Sequence, residues 1–298
     1  MKILLTFLTV AIATFLPEDA LAWGPGVHLA LGNSVLANLG WLPPLVAGLI
    51  SRHHSAFLYG CLSADIFIGK GSSFRAGHSH NWVTGFKLLK SANDPRVSSY
   101  AYGYLTHLAA DVVAHNYYVP NTMWNMPSGG KISHVYVEAQ ADQRYATERE
   151  SALALFRRPN QDTDGTLLSA MEKKRLPFLV KKQILKGSLK VTGSKEWGHS
   201  LRLADRLLPW STPDRQLDDM LALSKRLVFD FLRDPKGTVA LSFDPIGSRN
   251  LRSVKELQAG RSRRVPRTKC LFEPHASLTA LKTPRTDEDV SMAAGANG

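Results

Sequence analysis

Cysteine is nearly absent from this chain. Cys61 and Cys270 are the only two, and they lie far apart. One pair builds no disulfide framework, and no thiolate zinc site can be assembled from it. A transition metal, if bound, must therefore be held by nitrogen and oxygen. Strand-like alternation is also scarce, and there is no internal repeat and no heptad series, which disfavours sandwiches, barrels, solenoids and coiled coils. Apolar content is ordinary at 44%, so neither a multi-span membrane protein nor a wholly disordered chain is expected.

Only one hydrophobic run is long. Lys2 is followed by apolar residues from Ile3 to Leu16, and Ala20-Leu21-Ala22 places small residues where a signal peptidase reads. A spanning helix needs about 20 apolar residues, and Glu18-Asp19 ends this run too early. Residues 1–22 therefore read as a signal peptide, and cleavage after Ala22 would make Trp23 the mature first residue of an exported protein, secreted or periplasmic. The excess positive charge, +12 formally, is concentrated late. Arg249, Arg252, Lys255, Arg261, Arg263 and Arg264 belong to a basic stretch with Glu256 its only acid up to Lys269. Lacking apolar periodicity, residues 247–298 are expected to form a solvated, disordered tail, either passive or drawn to an anionic membrane surface.

Between these ends, residues 23–246 read as one all-α domain, a single bundle of long helices. Helical spacing predicts helices over His28–Leu39, His53–Tyr59, Val83–Lys90 and Ser98–Tyr118, the last stopped by Pro120. Further helices are expected over Ser133–Phe156, Leu167–Leu189, Leu201–Leu208 and Leu217–Phe231. Gly69–Ser73 and Pro127–Gly130 read as loops.

Histidine is unevenly distributed: eight of the ten lie between His28 and His134. The central pattern is His107-x-x-x-Asp111-x-x-x-His115 within an otherwise apolar helix. A spacing of four stacks the three side chains on one face. Three ionisable groups among residues such as Leu108, Val112 and Val113 are costly unless they pair or coordinate an ion. A hydrogen-bonded His-Asp-His chain is the plainer alternative. His134-x-x-x-Glu138 repeats the spacing, although such a pair alone also occurs as a surface hydrogen bond. Asp65 lies in a short apolar run, where it could equally cap a helix, and His78 and His80 follow across a glycine loop. Either of these two histidines could be the donor. Trp23-Gly-Pro-Gly-Val-His28 could turn to bring a terminal amine and an imidazole to one ion. About nine donors exceed what one tetrahedral zinc needs, so a multinuclear site is the economical reading. His53 and His54 are assigned to surface or supporting roles, and His199 and His275 to structural ones.

As an ordered set, Ala-Trp at the cleavage point, His28, Asp65, His80 before an aromatic, His107-x-x-x-Asp111 and His134-x-x-x-Glu138 resemble the zinc-dependent phospholipase C family over roughly Trp23 to Arg144. The resemblance implies an all-helical fold shared with single-strand nucleases and three zinc ions. Carried over residue by residue, Trp23 (amine and carbonyl), His28 and Asp111 would hold one zinc. Asp65, His80, His107 and a bridging Asp111 would hold the second, and His115, His134 and Glu138 the third. Asp65 would double as the base that orients water. The compact spacing from Asp111 to His115 looks instead like the catalytic domain of glycosylphosphatidylinositol-specific phospholipase D, so the substrate and the bond cleaved stay open between C and D types.

The implied function is hydrolysis of a phosphodiester in a phospholipid headgroup. Two alternatives are a single-strand nuclease on the same fold and a metal-binding surface protein without turnover. Phe57, Tyr59, Phe67, Trp82, Tyr117, Tyr118, Trp124 and Tyr136 could stack bases or line a lipid pocket, with core packing their default role. No specific nucleic-acid partner is expected.

Overall fold

The structure, a computed structural model, describes residues 23–67, 78–125, 139–192, 214–259 and 270–282. Among them there is no strand, and the chain is all-α. The helices are α1 (Pro25–Ala37), α2 (Pro44–Arg52), α3 (His54–Ser63), α4 (Trp82–Lys90), α5 (Pro95–Val113), α6 (Val119–Asn125), α7 (Ala146–Arg157), α8 (Gln161–Met171), α9 (Arg175–Thr192), α10 (Asp214–Arg233), α11 (Ser248–Ala259) and the single turn α12 (Ala276–Thr279). None of them is long and apolar enough to cross a membrane. The signal segment, both glycine-containing loops and the helix expected over Leu201–Leu208 lie outside the described residues.

The bundle is organised around α5. It begins where the sequence says it should: the Asp94 side chain accepts from the Val97 amide at 3.0 Å, and Pro95 fills the first turn. From Tyr100 to Val113 it is buried almost all round, as befits a helix at the centre of a bundle. Its tightest neighbour is α3. A Cβ on Gly60 would overlap the Tyr100 carbonyl, and one on Gly103 would overlap that of Phe57. Glycine at both positions lets the two backbones touch. That contact brings the end of α3, and Asp65 in the 3-10 turn after it, against the face of α5 that carries His107.

Several sequence-based boundaries need correction. α2 has no counterpart among the expected helices: Pro44 starts it, being compatible with a first helical position. The helix expected from Ser133 to Phe156 breaks at Arg144-Tyr145 before α7. The expected Leu167–Leu189 helix is two, because Glu172 adopts a left-handed conformation (φ 55°) and caps α8. Pro120 does not stop the α5 run. A π-helical turn over Ala114–Tyr118 widens the helix, and α6 continues through the proline.

The expected disordered tail is also corrected in part. Residues 248–259 form α11, with Leu251 and Val254 buried, and Leu278 of α12 is buried as well. The cause is polar as much as apolar. Pro120 has no N–H to offer the Asn116 carbonyl one turn earlier, and that carbonyl accepts from Asn250 Nδ2 at 2.7 Å. Gln258 donates to the Met123 carbonyl at 2.5 Å, and Asn121 Oδ1 accepts from the Leu271 and Phe272 amides at 2.8 and 2.9 Å. Gly247 enters this segment at φ 61°, its Cα against the His115 carbonyl, where no side chain fits. Residues 260–269 and 283–298 lie outside the described residues.

Candidate metal centre

Five of the sequence-derived donors converge in the interior. His28 comes from the first turns of α1, Asp65 from the turn after α3, His80 from just before α4, and His107 and Asp111 from α5. All five are buried. His107 Nε2 and His80 Nε2 face each other at 3.1 Å. Asp111 Oδ2 lies 3.0 Å from His107 Nε2 and 3.4 Å from His80 Nε2, while Asp65 Oδ1 lies 3.6 and 3.3 Å from the same two atoms. Donors at about 2.0–2.1 Å from a tetrahedral zinc sit roughly 3.3 Å apart, so these separations have the size of such a cage. The other carboxylate oxygen of Asp111 points elsewhere, with Oδ1 3.2 Å from His28 Nε2. Two groups of three could each hold an ion: His28, His107 and Asp111, and Asp65, His80 and His107.

Hydrogen bonding alone does not account for this cluster. His28 Nε2 and Asp111 Oδ1 are buried and close, yet neither makes an aligned hydrogen bond, and Asp65 Oδ2 is buried with no donor among the described residues. Orphaned acceptors of this kind are costly. A divalent cation shared among them removes the cost, so the residues fit the metal that a nitrogen and oxygen donor set of this kind takes.

The rings are aimed by their second nitrogens. His107 Nδ1 donates to the Cys61 carbonyl at 2.8 Å, which fixes the tautomer and turns Nε2 inward. His80 Nδ1 pairs with Ser79 Oγ at 3.0 Å. The Ser79 carbonyl accepts from the Tyr104 hydroxyl, and the Asn81 side chain caps α4 by accepting from the Val83 amide at 2.8 Å. The rings of His28 and His107 stack at 3.8 Å. Burial alone would depress His107, but the carboxylates of Asp111 and Asp65 outweigh it and hold the ring at about 9. For Asp111 burial would raise the carboxyl, and His107 and His28 together bring it well below the usual range. His28 is lowered, by burial first and then by the charge of His107.

The remaining candidates fall as follows. His80, rather than His78, faces the cluster; His78 Nδ1 accepts from the His80 amide at 3.1 Å, and its carbonyl accepts from Thr84 at 2.8 Å. His115 is buried in the π-helical turn and belongs to neither group of three among the described residues. His134 and Glu138, the other members of its expected zinc set, lie outside the described residues, as do Tyr136 and His199. Trp23 is wholly buried and held by its indole: Nε1 donates towards the Ala110 carbonyl and Ser224 Oγ, both at 3.2 Å, and the ring stacks on Tyr118 at 4.7 Å. Its anchor on α5 is thus the residue before Asp111. His54 is exposed, and His275 caps α12. Phe57, Tyr59, Tyr117 and Tyr118 are core, and Phe67, Trp82 and Trp124 pack against it.

One supporting residue escaped the sequence reading. Asp142 Oδ1 accepts from the Val27 amide at 3.1 Å and so caps the free start of α1, one residue before His28. Its partner is Arg149, whose Nε lies 3.6 Å from Asp142 Oδ2. Burial pushes its carboxyl up to about 6, partly offset by Arg149. The available signal was position: Asp142 continues the spacing of four from His134 and Glu138.

Residues 27–185, more than half the chain, match the family of zinc dependent phospholipase C. The chain belongs to that family. No curated protein and no solved structure matches it. The matched stretch contains all five converging donors, whereas Trp23 precedes it. Membership makes the protein a zinc-dependent hydrolase of phospholipase type.

Proposed function

We propose that the protein is an exported phosphodiester hydrolase acting on phospholipid headgroups, by C- or D-type cleavage, at a multinuclear zinc site. The observation that carries this reading is the arrangement around Asp111, whose two oxygens face different histidines. Asp65 Oδ1, His80 Nε2, His107 Nε2 and Asp111 Oδ2 would hold one ion, and Asp111 Oδ1 with His28 would contribute to another. His115, with His134 and Glu138, remains the proposed set for a third. Bound zinc supplies Lewis acidity for the phosphoryl oxygens and lowers the pKa of water towards about 7.

The chain's own residues supply the rest. His107 is kept in one tautomer by the Cys61 carbonyl, so its Nε2 lone pair is available to the site once its proton leaves. Asp65 Oδ2, without a donor among the described residues, is the oxygen best placed to accept a proton from an attacking water. The buried walls of α3 and α5 limit competing solvent. Trp23, pinned beside Asp111 through its indole, is proposed as the mature first residue, so that its amine and carbonyl join the site.

The test is a product analysis on purified mature protein. Phosphatidylcholine in mixed micelles should yield either diacylglycerol with phosphocholine or phosphatidic acid with choline, which assigns the bond. Chelation should abolish turnover and zinc restore it, while single-stranded DNA stays intact. DNA cleavage with untouched lipid would overturn the lipid assignment. N-terminal sequencing that starts anywhere but Trp23 would remove the amine from the site.

A further inference from the structure

The inner face of α9 is core, with Phe178, Leu185 and Leu189 buried. Its outer face is not polar in the usual way. Leu176, Val180 and Ile184 are 74%, 54% and 60% exposed, and Leu179 is 41% exposed. A spacing of four places the first three in one row along the helix. At about 100° per residue, Lys181 falls on one side of that row, and Arg175, Lys186 and Lys190 fall on the other. The segment Arg175–Thr192 contains no aspartate or glutamate. Beside its basic flank lies a cavity of about 370 Å³ edged by Arg158, Arg175, Lys182 and Lys186, with Asp164 its acid. Asp164 is engaged by Lys182 at 2.5 Å and by the Tyr59 hydroxyl at 2.6 Å.

An exposed apolar row bordered on both sides by cations matches the boundary of an anionic bilayer, where acyl chains take the row and headgroup phosphates face the bases. The row's inner neighbour leads to the metal centre: Phe178 packs against Phe67 at 5.3 Å, two residues from Asp65. We infer that α9 is a docking surface for anionic lipid bilayers, lying along the headgroup layer with Leu176, Val180 and Ile184 inserted. This deepens the proposed lipid substrate and rests on that reading for its purpose, though not for its test.

The test measures flotation of full-length protein with vesicles of phosphatidylcholine containing phosphatidylserine, without turnover. The wild type should float with anionic vesicles, less with pure phosphatidylcholine, and less as salt rises. Replacing Leu176, Val180 and Ile184 together by Gln keeps helix propensity and should cut binding by at least about tenfold. The variant should melt as the wild type does and hydrolyse a soluble short-chain phosphodiester equally well. Lys181→Gln with Lys190→Gln should weaken binding at low salt only. A lower melting temperature in the triple Gln variant means that the row is covered by the chain itself, and a wild-type dimer split by these changes means a second copy covers it; either overturns the inference. Unchanged flotation does so too. If the wild type floats through α9 yet hydrolyses no phosphodiester, docking stands and the proposed function falls.

Discussion

The imidazoles of His80 and His107 face each other nitrogen to nitrogen at 3.1 Å, with carboxylate oxygens of Asp65 and Asp111 within 3.0–3.6 Å of both. Two lone pairs cannot share that space without a proton or a cation between them. A proton on His107 meets the need in metal-free protein, where the carboxylates of Asp111 and Asp65 outweigh burial and hold the ring at about 9. A metal must displace that proton. Zinc affinity should therefore rise with pH, by up to about tenfold per unit below 9, and binding should release a proton. Chelator competition at pH 7 and pH 8 in buffers of different ionisation enthalpy measures both.

The same shift sets how metal-free stability depends on pH. The folded-state value of His107 is raised above its ordinary 6.5. Its contribution is fully present below 6.5 and is lost as pH rises through about 9. Asp142, pushed up to about 6, acts in the same direction at lower pH: its contribution is lost as pH rises from about 4 to about 6. Denaturant midpoints of the zinc-free protein should thus fall from pH 6.5 to pH 9, and the fall should vanish in His107→Gln.

Asp111→Asn replaces a carboxylate that faces two histidine sets by an amide, a poor bridging ligand. It should lose zinc and activity together, by more than the roughly 10–100-fold typical of supporting residues. Metal analysis of the purified variant decides it, since full zinc content with normal activity is incompatible with a bridging role. Asp142→Ala leaves the metal ligands in place but strips the cap from α1 and removes the carboxylate that lies 3.6 Å from Arg149 Nε. It should cost about 1–3 kcal/mol and weaken zinc binding through His28. Thermal melts with and without zinc separate the two effects.

What could be read in advance follows from how local each signal is. His107 and Asp111 were legible because one helix carries both, at a spacing that stacks them among apolar neighbours. His28, Asp65 and His80 come from three other elements, and only their order along the chain, as in the family, linked them. Asp142 acts on a distant amide, and its one local signal was the spacing of four that it continues from His134 and Glu138. The break at Glu172 was invisible because glutamate is an ordinary helix former, and no glycine marks the left-handed residue that ends α8. Pro120 was misread as a terminator because the partner that relieves it, Asn250, lies 130 residues on.

That last pairing changes what truncation should do. If residues 247–298 were a solvated tail, a chain ending at Gly247 would fold as the full chain does. The structure requires the opposite. Such a truncation removes Leu251, Val254 and Leu278 from the core, and takes Asn250 Nδ2 from the Asn116 carbonyl and Gln258 from that of Met123. It also exposes the helix run that carries His115. Burial of each aliphatic side chain is worth about 1.5–3 kcal/mol, so the loss is comparable to the whole stability of a typical domain, about 5–15 kcal/mol. The protein ending at Gly247 should be insoluble or melt far below the full chain. A chain ending at Lys282 keeps all of these contacts and should melt and bind zinc as the full chain does. Equal melting of the two truncations would show that α11 and α12 add nothing to the core.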